Sequence, residues 1–403
     1  MSIRAEPSHN RLMGVDWARR LACAALLAGF GVQAAPPGPE QQFTAAVEQL
    51  RAGRSSDALA TLEALTRSEP NFHLAQLFYG ELLSLLSGAG NPILTGSITA
   101  NLRLRDLADE ARVRLASEKA APQPGMVPNA LLKLADNYKR AIVVDLPRAR
   151  LYVMANDHGK LTLERHHYAA MGRNGSRKQT AGDLRTPVGL YHVTHWIGDS
   201  QLPELYGAGA LPLDYPNAWD QLQRRTGSGI WLHGVPRDTF SRPPRSSEGC
   251  VTMSNADLDV LRGDVDYGMT PVVLSDEIEW VPAAAVEIVR DSLLRRIEDW
   301  RKAWSSKNTE AYLAYYARDF SVDGMNLADF SAHKRRVNAS KKFIDVRLSD
   351  ISLFRYPGTE DGLLLAEFTM DYGSDNYKTT SDKQQFWRRD DAGNWKIVRE
   401  INR

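Results

Sequence analysis

The chain has 403 residues, with 50 Lys and Arg against 49 Asp and Glu, a formal charge of +1 and 43% hydrophobic residues. That balance gives no sign of nucleic-acid binding, and two cysteines in so long a chain leave no disulfide framework. The length allows two or three domains, each with a core of its own.

Four arginines (Arg4, Arg11, Arg19, Arg20) precede an apolar run over 21–32, and Val32-Gln33-Ala34 offers the small residues a signal peptidase reads. The run is too short for a permanent span. Residues 1–34 therefore read as a secretory signal, cut after Ala34 because Pro36 spoils the next bond; the alternative is an uncleaved anchor. Cys23 lies at the start of the apolar run, not after it, so it is no lipidation site. Cleavage removes it with four basic and two acidic residues, leaving a formal charge of −1 and a single cysteine, Cys250. An unpaired thiol in an exported protein is either buried and inert or kept for its chemistry.

Residues 35–125 read as an all-helical region. Phe43, Val47 and Leu50, then Ala58, Leu62 and Leu65, then Leu74, Leu77, Phe78 and Leu82 recur at three and four, punctuated by Gly53 and Pro70. Leu104, Leu107, Ala108, Ala111 and Leu115 continue the pattern. The spacing of Ala58, Leu62 and Pro70 is similar to one tetratricopeptide repeat, and a lone repeat must pack on a neighbour. The region reads as a helical cap, with partner docking as the other possibility, and the Pro- and Ala-rich stretch 120–128 reads as a linker.

Residues 126–280 are strand-rich. A hairpin is expected over 141–145 and 150–154, turning at Leu146-Pro147, with further strands over 161–170 and 189–195. Pro187 and Gly189 shape a tight approach to the latter. The 229–232 run, Gly-Ile-Trp-Leu, reads as a buried strand ending at His233, and a polar, Pro-containing loop follows to Ser247-Glu-Gly-Cys-Val-Thr. A thiol is mostly protonated at neutral pH, and an imidazole that takes its proton makes it a nucleophile. His233 and Cys250, folded together by that loop, are the minimum machinery for acyl transfer.

This stretch resembles the signature of the YkuD-type L,D-transpeptidases: a His on a strand, a spacer, Ser or Thr, any residue, Gly, Cys and an aliphatic residue. His233, Ser247, Gly249, Cys250 and Val251 match it. Glu248 stands where His or Arg is common and Thr252 where many members carry Arg, which bears on substrate preference rather than reaction class. The run Gly182-Asp-Leu-Arg-Thr-Pro-Val-Gly-Leu-Tyr matches a second motif of the same family, so the resemblance covers about 150 residues. The loop over 202–220 looks most like the YafK-related branch. Its Tyr206, Tyr215 and Trp219, with Ser247, are the expected walls of a substrate groove, the alternative being an ordinary aromatic-stapled loop.

The resemblance implies that Cys250 attacks a peptidoglycan stem peptide between a third-position diamino acid and D-Ala. His233 would take the thiol proton, pass one to the leaving amine and then act as base for the acceptor. The Gly234 carbonyl would orient the ring, and the N–H groups of Gly249 and Cys250 would hold the oxyanion. An imidazolium at His233 would also lower the thiol pKa. Three readings stay open: a transpeptidase forming crosslinks or attaching a lipoprotein Lys, a hydrolase with water as acceptor, and a non-catalytic wall-binding scaffold.

From residue 284 a helical stripe (Val286, Val289, Leu293, Ile297, Trp300, Trp304) and a helix over 309–317 precede strands over 343–354, 362–372, 384–389 and 395–399. Helices first and a curved antiparallel sheet after look like the SnoaL-like cone. Residues 284–403 are read as a non-catalytic module that could bind a protein partner. The whole is thus multidomain: all-α, then mostly β, then α+β. No cofactor is called for. His166-His167 and His192-x-x-His195 read as strand or surface histidines rather than metal ligands, because neighbours one or three apart on a strand face opposite ways.

Overall fold

The computed structural model describes residues 37–88, 102–359 and 362–402. The expected secretory signal lies outside the described residues. Among the described residues no helix is long and apolar enough to cross a membrane.

The N-terminal region consists of helices Pro39–Arg51, Ser55–Ser68, His73–Leu86 and Leu102–Lys119. The first two are joined at Gly53, whose φ of +73° is a left-handed conformation that favours glycine. Phe43, Val47, Ala58, Leu62, Leu65, Leu74 and Leu82 close a core, as their spacing predicts. The neighbour that completes it comes from far along the chain. Phe240, in the spacer between His233 and Cys250, stacks on Phe72 with centroids 4.1 Å apart, and its N–H donates to the Asn71 carbonyl at 3.1 Å. The helices therefore hold the spacer between His233 and Cys250 in place. A charged seam adds to the contact: buried Arg114 bonds Glu110 and Glu40, and Arg150 of the central domain also pairs with Glu40. Burial alone would raise the Glu40 carboxyl, but the two guanidinium groups outweigh it and hold it at about 2.

Among the described residues the central domain has two main sheets, besides the short pairing of Met171–Gly172 with Arg245–Ser247. One runs Lys160–Tyr168, Arg150–Asp157, Arg140–Asp145, Pro271–Ser275, Gly189–His192, antiparallel except for the pairing of Pro271–Ser275 with Arg140–Asp145. The other runs Val251–Thr252, Trp231–His233, Gly209–Pro212, Ile197–Gly198. Ile142, Val144, Leu151 and Val272 of the first pack with Leu211, Leu232 and Val251 of the second. This core supports the strand that ends in His233.

The C-terminal domain lays helices Ala283–Ser305 and Leu327–Ser340 against a curved sheet. Its long antiparallel strands are Ile344–Arg355, Leu364–Ser374, Lys378–Arg389 and Trp395–Asn402. Two short segments depart from expectation. The helix at Thr309 stops at Leu313 and the chain turns into strand Tyr316–Val322, whose Tyr316, Phe320 and Val322 are buried in a strand-like alternation. The 120–128 stretch, expected as a linker, ends in strand Met126–Pro128 paired with Trp280–Pro282, and Leu131–Lys133 joins the C-terminal sheet beside Ile344–Arg355. Strands of three residues have no period to read; their partners define them.

Candidate active site

The parallel register Leu232 to Val251 and His233 to Thr252 sets Cys250 level with Trp231, two residues before His233 on the neighbouring strand. A parallel pair needs a crossover, and the intervening spacer, pinned at Phe240, supplies it. His233 is 3% exposed and its Nδ1 lies 2.7 Å from the Gly234 carbonyl. A carbonyl only accepts, so Nδ1 carries the proton and the Nε2 lone pair is left as the base. A side chain at Gly234 would collide with Asn255 Oδ1, and that oxygen accepts from the N–H groups of Ala208 at 2.8 Å and Val235 at 3.2 Å. Asn255 thus fastens the backbone on both sides of the imidazole, a role no sequence pattern disclosed.

The Cys250 thiol donates to the Gly229 carbonyl at 3.3 Å. Burial pushes it up to about 11, against a weaker pull from the Trp231 backbone, and burial likewise drives His233 down to about 4, aided by the charge of Arg242. At neutral pH the pair is therefore thiol and neutral imidazole. The expectation that an imidazolium lowers the thiol pKa is corrected: burial leaves His233 a neutral imidazole, not a resident cation.

Two assignments on the turn before Cys250 also change. Ser247 is buried, its hydroxyl donating to the Cys250 carbonyl at 2.5 Å and accepting from the Gly249 N–H at 3.1 Å. It shapes the turn and does not wall a groove. The Gly249 N–H, expected to hold an oxyanion, is engaged by that hydroxyl. Glycine is still required there, with φ at +130° and the Arg185 carbonyl too close for a side chain. Ser247→Ala should leave a buried N–H unpaired and cost about 1–3 kcal/mol. A lowered melting temperature with lowered kcat is expected; a raised KM with unchanged melting would return Ser247 to the groove.

The 182–191 motif buttresses this turn from behind. Asp183 accepts from Lys178 Nζ at 2.8 Å and from the N–H groups of Gln179, Thr180 and Arg185. Although burial opposes it, these donors hold its carboxyl at about 2. Thr186 Oγ1 accepts from Gly172 N–H at 2.9 Å, and Met171–Gly172 pairs with Arg245–Ser247.

The three aromatic residues of the 202–220 stretch separate. Tyr206 stays at the site, its ring 4.8 Å from that of His233 and 5.0 Å from Trp231. Tyr215 is buried against Tyr191, its hydroxyl donating to the Thr226 carbonyl at 3.0 Å. Trp219 is buried on Phe386 of the C-terminal domain, centroids 5.2 Å apart. Tyr215 and Trp219 thus wall no groove, because the stretch is not one loop: strand Gly209–Pro212 and helix Ala218–Leu222 turn them inward.

Of the histidines in the two pairs, His167 and His192 are buried in polar contacts and His195 is exposed. His167 Nδ1 meets Asp257 at 2.8 Å, and His192 lies between Asp214 at 3.4 Å and Glu367 at 3.3 Å. Among the described residues no group of three His, Cys, Asp or Glu side chains is arranged to hold a metal ion.

Residues 139–274 match the model of the YkuD L,D-transpeptidase catalytic domain, and residues 292–401 that of the Cds6 C-terminal NTF2-like domain. No curated protein matches the chain. Among solved structures, Bd1075 of Bdellovibrio bacteriovorus is 27% identical with a TM-score of 0.60, over 69% of this chain and 98% of its own. The helical cell shape determining protein Pgp2 of Campylobacter jejuni is 25% identical with a TM-score of 0.58, over 73% and 99%. The chain carries a YkuD-type L,D-transpeptidase catalytic domain, preceded by helices and followed by an NTF2-like domain.

Proposed function

We propose that this protein is an exported cysteine acyl-transfer enzyme acting on peptidoglycan stem peptides, with Cys250 as nucleophile and His233 as acid and base. The observation that carries this is the juxtaposition of a tautomer-fixed imidazole with a cysteine two positions away in the register of a parallel strand pair. Attack forms the C–S bond as the thiol proton passes to Nε2. The same proton then goes to the leaving amine, giving a thioester, and the oxyanion of each step is met by the Cys250 N–H. Export is inferred from the arginines and apolar run at 4–32.

The acceptor is either an amine, giving a crosslink or a lipoprotein linkage, or water. Burial of Tyr215 and Trp219 leaves Tyr206 as the one aromatic of its stretch beside the pair, which favours water by removing two groups that would exclude it. The likeness to a cell-shape determining protein supports a contribution to cell shape.

Incubation of the full chain with purified sacculi, followed by muropeptide mass spectrometry, tests this. Tripeptide stems indicate hydrolysis, and new crosslinks or protein-linked muropeptides indicate transfer. Unchanged muropeptides would leave the scaffold reading.

A further inference from the structure

A groove of about 730 Å³ opens between the N-terminal helices and the 236–243 part of the catalytic spacer. His73, Arg103 and Asp106 form its helical side, and Leu205 and Arg242 belong to the catalytic side. Both catalytic-side residues connect it to the reacting pair. Leu205 is bonded to Tyr206, whose ring lies on His233, and Arg242 bonds the Ser246 carbonyl at 3.1 Å on the turn that presents Cys250.

Arg242 has an unusual charge environment. It is half-buried, and although Asp106, Glu110 and Asp238 line the groove, among the described residues no carboxylate lies within ion-pair distance of Arg242; Glu248 acts only from further off, while Arg173 repels it. Arg173 is itself fixed to the turn, its N–H donating to the Ser247 carbonyl at 2.8 Å. The part-desolvated guanidinium of Arg242, with no carboxylate at ion-pair distance among the described residues, is matched by an anion, and a carboxylate is the partner whose geometry fits the guanidinium fork.

We infer that this groove is the subsite for the acyl-donor stem peptide and that Arg242 binds a carboxylate of that peptide. The inference rests on the proposed reaction at Cys250. Three carboxylates of a stem share the required chemistry: that of an isoglutamyl residue, the free one of a diamino diacid, and that of the terminal residue. Exposed Leu205 gives the peptide backbone an apolar wall, and the helical module becomes part of substrate recognition.

The test measures kcat and KM for the full chain on a soluble disaccharide-tetrapeptide and on three versions, each with one carboxylate converted to a carboxamide. Wild type is expected to lose about tenfold in kcat/KM, through KM, on one amide, which identifies the carboxylate. Arg242→Gln should show that loss on the acid substrate and no further loss on that amide, and Arg242→Lys should recover part of it. Leu205→Asp, an exposed change that adds a like charge, should raise KM on the acid form more than on the amide. Turnover in which no amide differs from the acid overturns the inference alone. So does Arg242→Gln lowering kcat equally on all four substrates, since Arg242 would then only hold the Ser246 turn. Absence of turnover in wild type on every stem peptide overturns the proposed function and the inference with it.

Discussion

Cys250→Ala should lower turnover on stem peptides by on the order of 10⁴-fold or more while leaving the fold intact, because it removes the nucleophile and almost no volume. His233→Ala should cost about 10²–10⁴-fold, the worth of a positioned base. The two variants separate cleanly in thiol chemistry. His233 is held at about 4 and Cys250 at about 11 by burial, so at neutral pH neither is charged. Removing His233 takes no cation away from the sulfur. Alkylation of Cys250 by iodoacetamide at pH 8 should therefore change by no more than about threefold in His233→Ala, although turnover collapses. In wild type the alkylation rate should keep rising with pH towards 11, and turnover should fall on the acid side only as pH approaches 4. An alkylation plateau below pH 7 that disappears in His233→Ala would show a resident thiolate–imidazolium pair instead.

The same shift bears on stability. The folded His233 refuses a proton that the unfolded chain accepts below its ordinary value of 6.5, so its contribution is complete above 6.5 and declines as pH falls towards 4. Denaturant midpoints measured across that window should fall with pH in wild type, and fall less in His233→Ala.

Trp219→Ala should act on stability rather than on substrate. Its indole is buried at the junction of two domains, against Phe386 and near Tyr356, beside Asn217, which donates to the Leu190 carbonyl at 2.7 Å and pairs with the Tyr356 hydroxyl at 2.8 Å. Truncating it opens a cavity where the catalytic and C-terminal domains meet, at a cost of about 3–5 kcal/mol. Differential scanning calorimetry should show a lowered transition, and KM at 25 °C should stay within about twofold of wild type. A tenfold rise in KM without loss of stability would place Trp219 back in a substrate groove.

The sequence by itself determined the class of fold in each third of the chain and named the residues proposed to carry the chemistry at its centre. Helical spacing around Leu62 and Leu74 and strand alternation around Ile142 and Val153 are local periodicities, and each element must bury its own apolar face. The contact of His233 with the Gly234 carbonyl was legible because that carbonyl belongs to the next residue, and Cys250, the proposed nucleophile, stands in one short motif. What lies between elements was not legible. Whether Tyr206, Tyr215 or Trp219 faces the site depends on the turns about Gly209–Pro212 and Ala218–Leu222 and on which domain covers them, and composition alone marks all three as groove aromatics. Asn255 and Arg242 matter through backbone groups brought to them by folding, and Phe240 through a helical core that begins some two hundred residues earlier. The charge state of the pair was decided last, by burial: residue type permits an ion pair, and only the packed surroundings make thiol and imidazole the cheaper state.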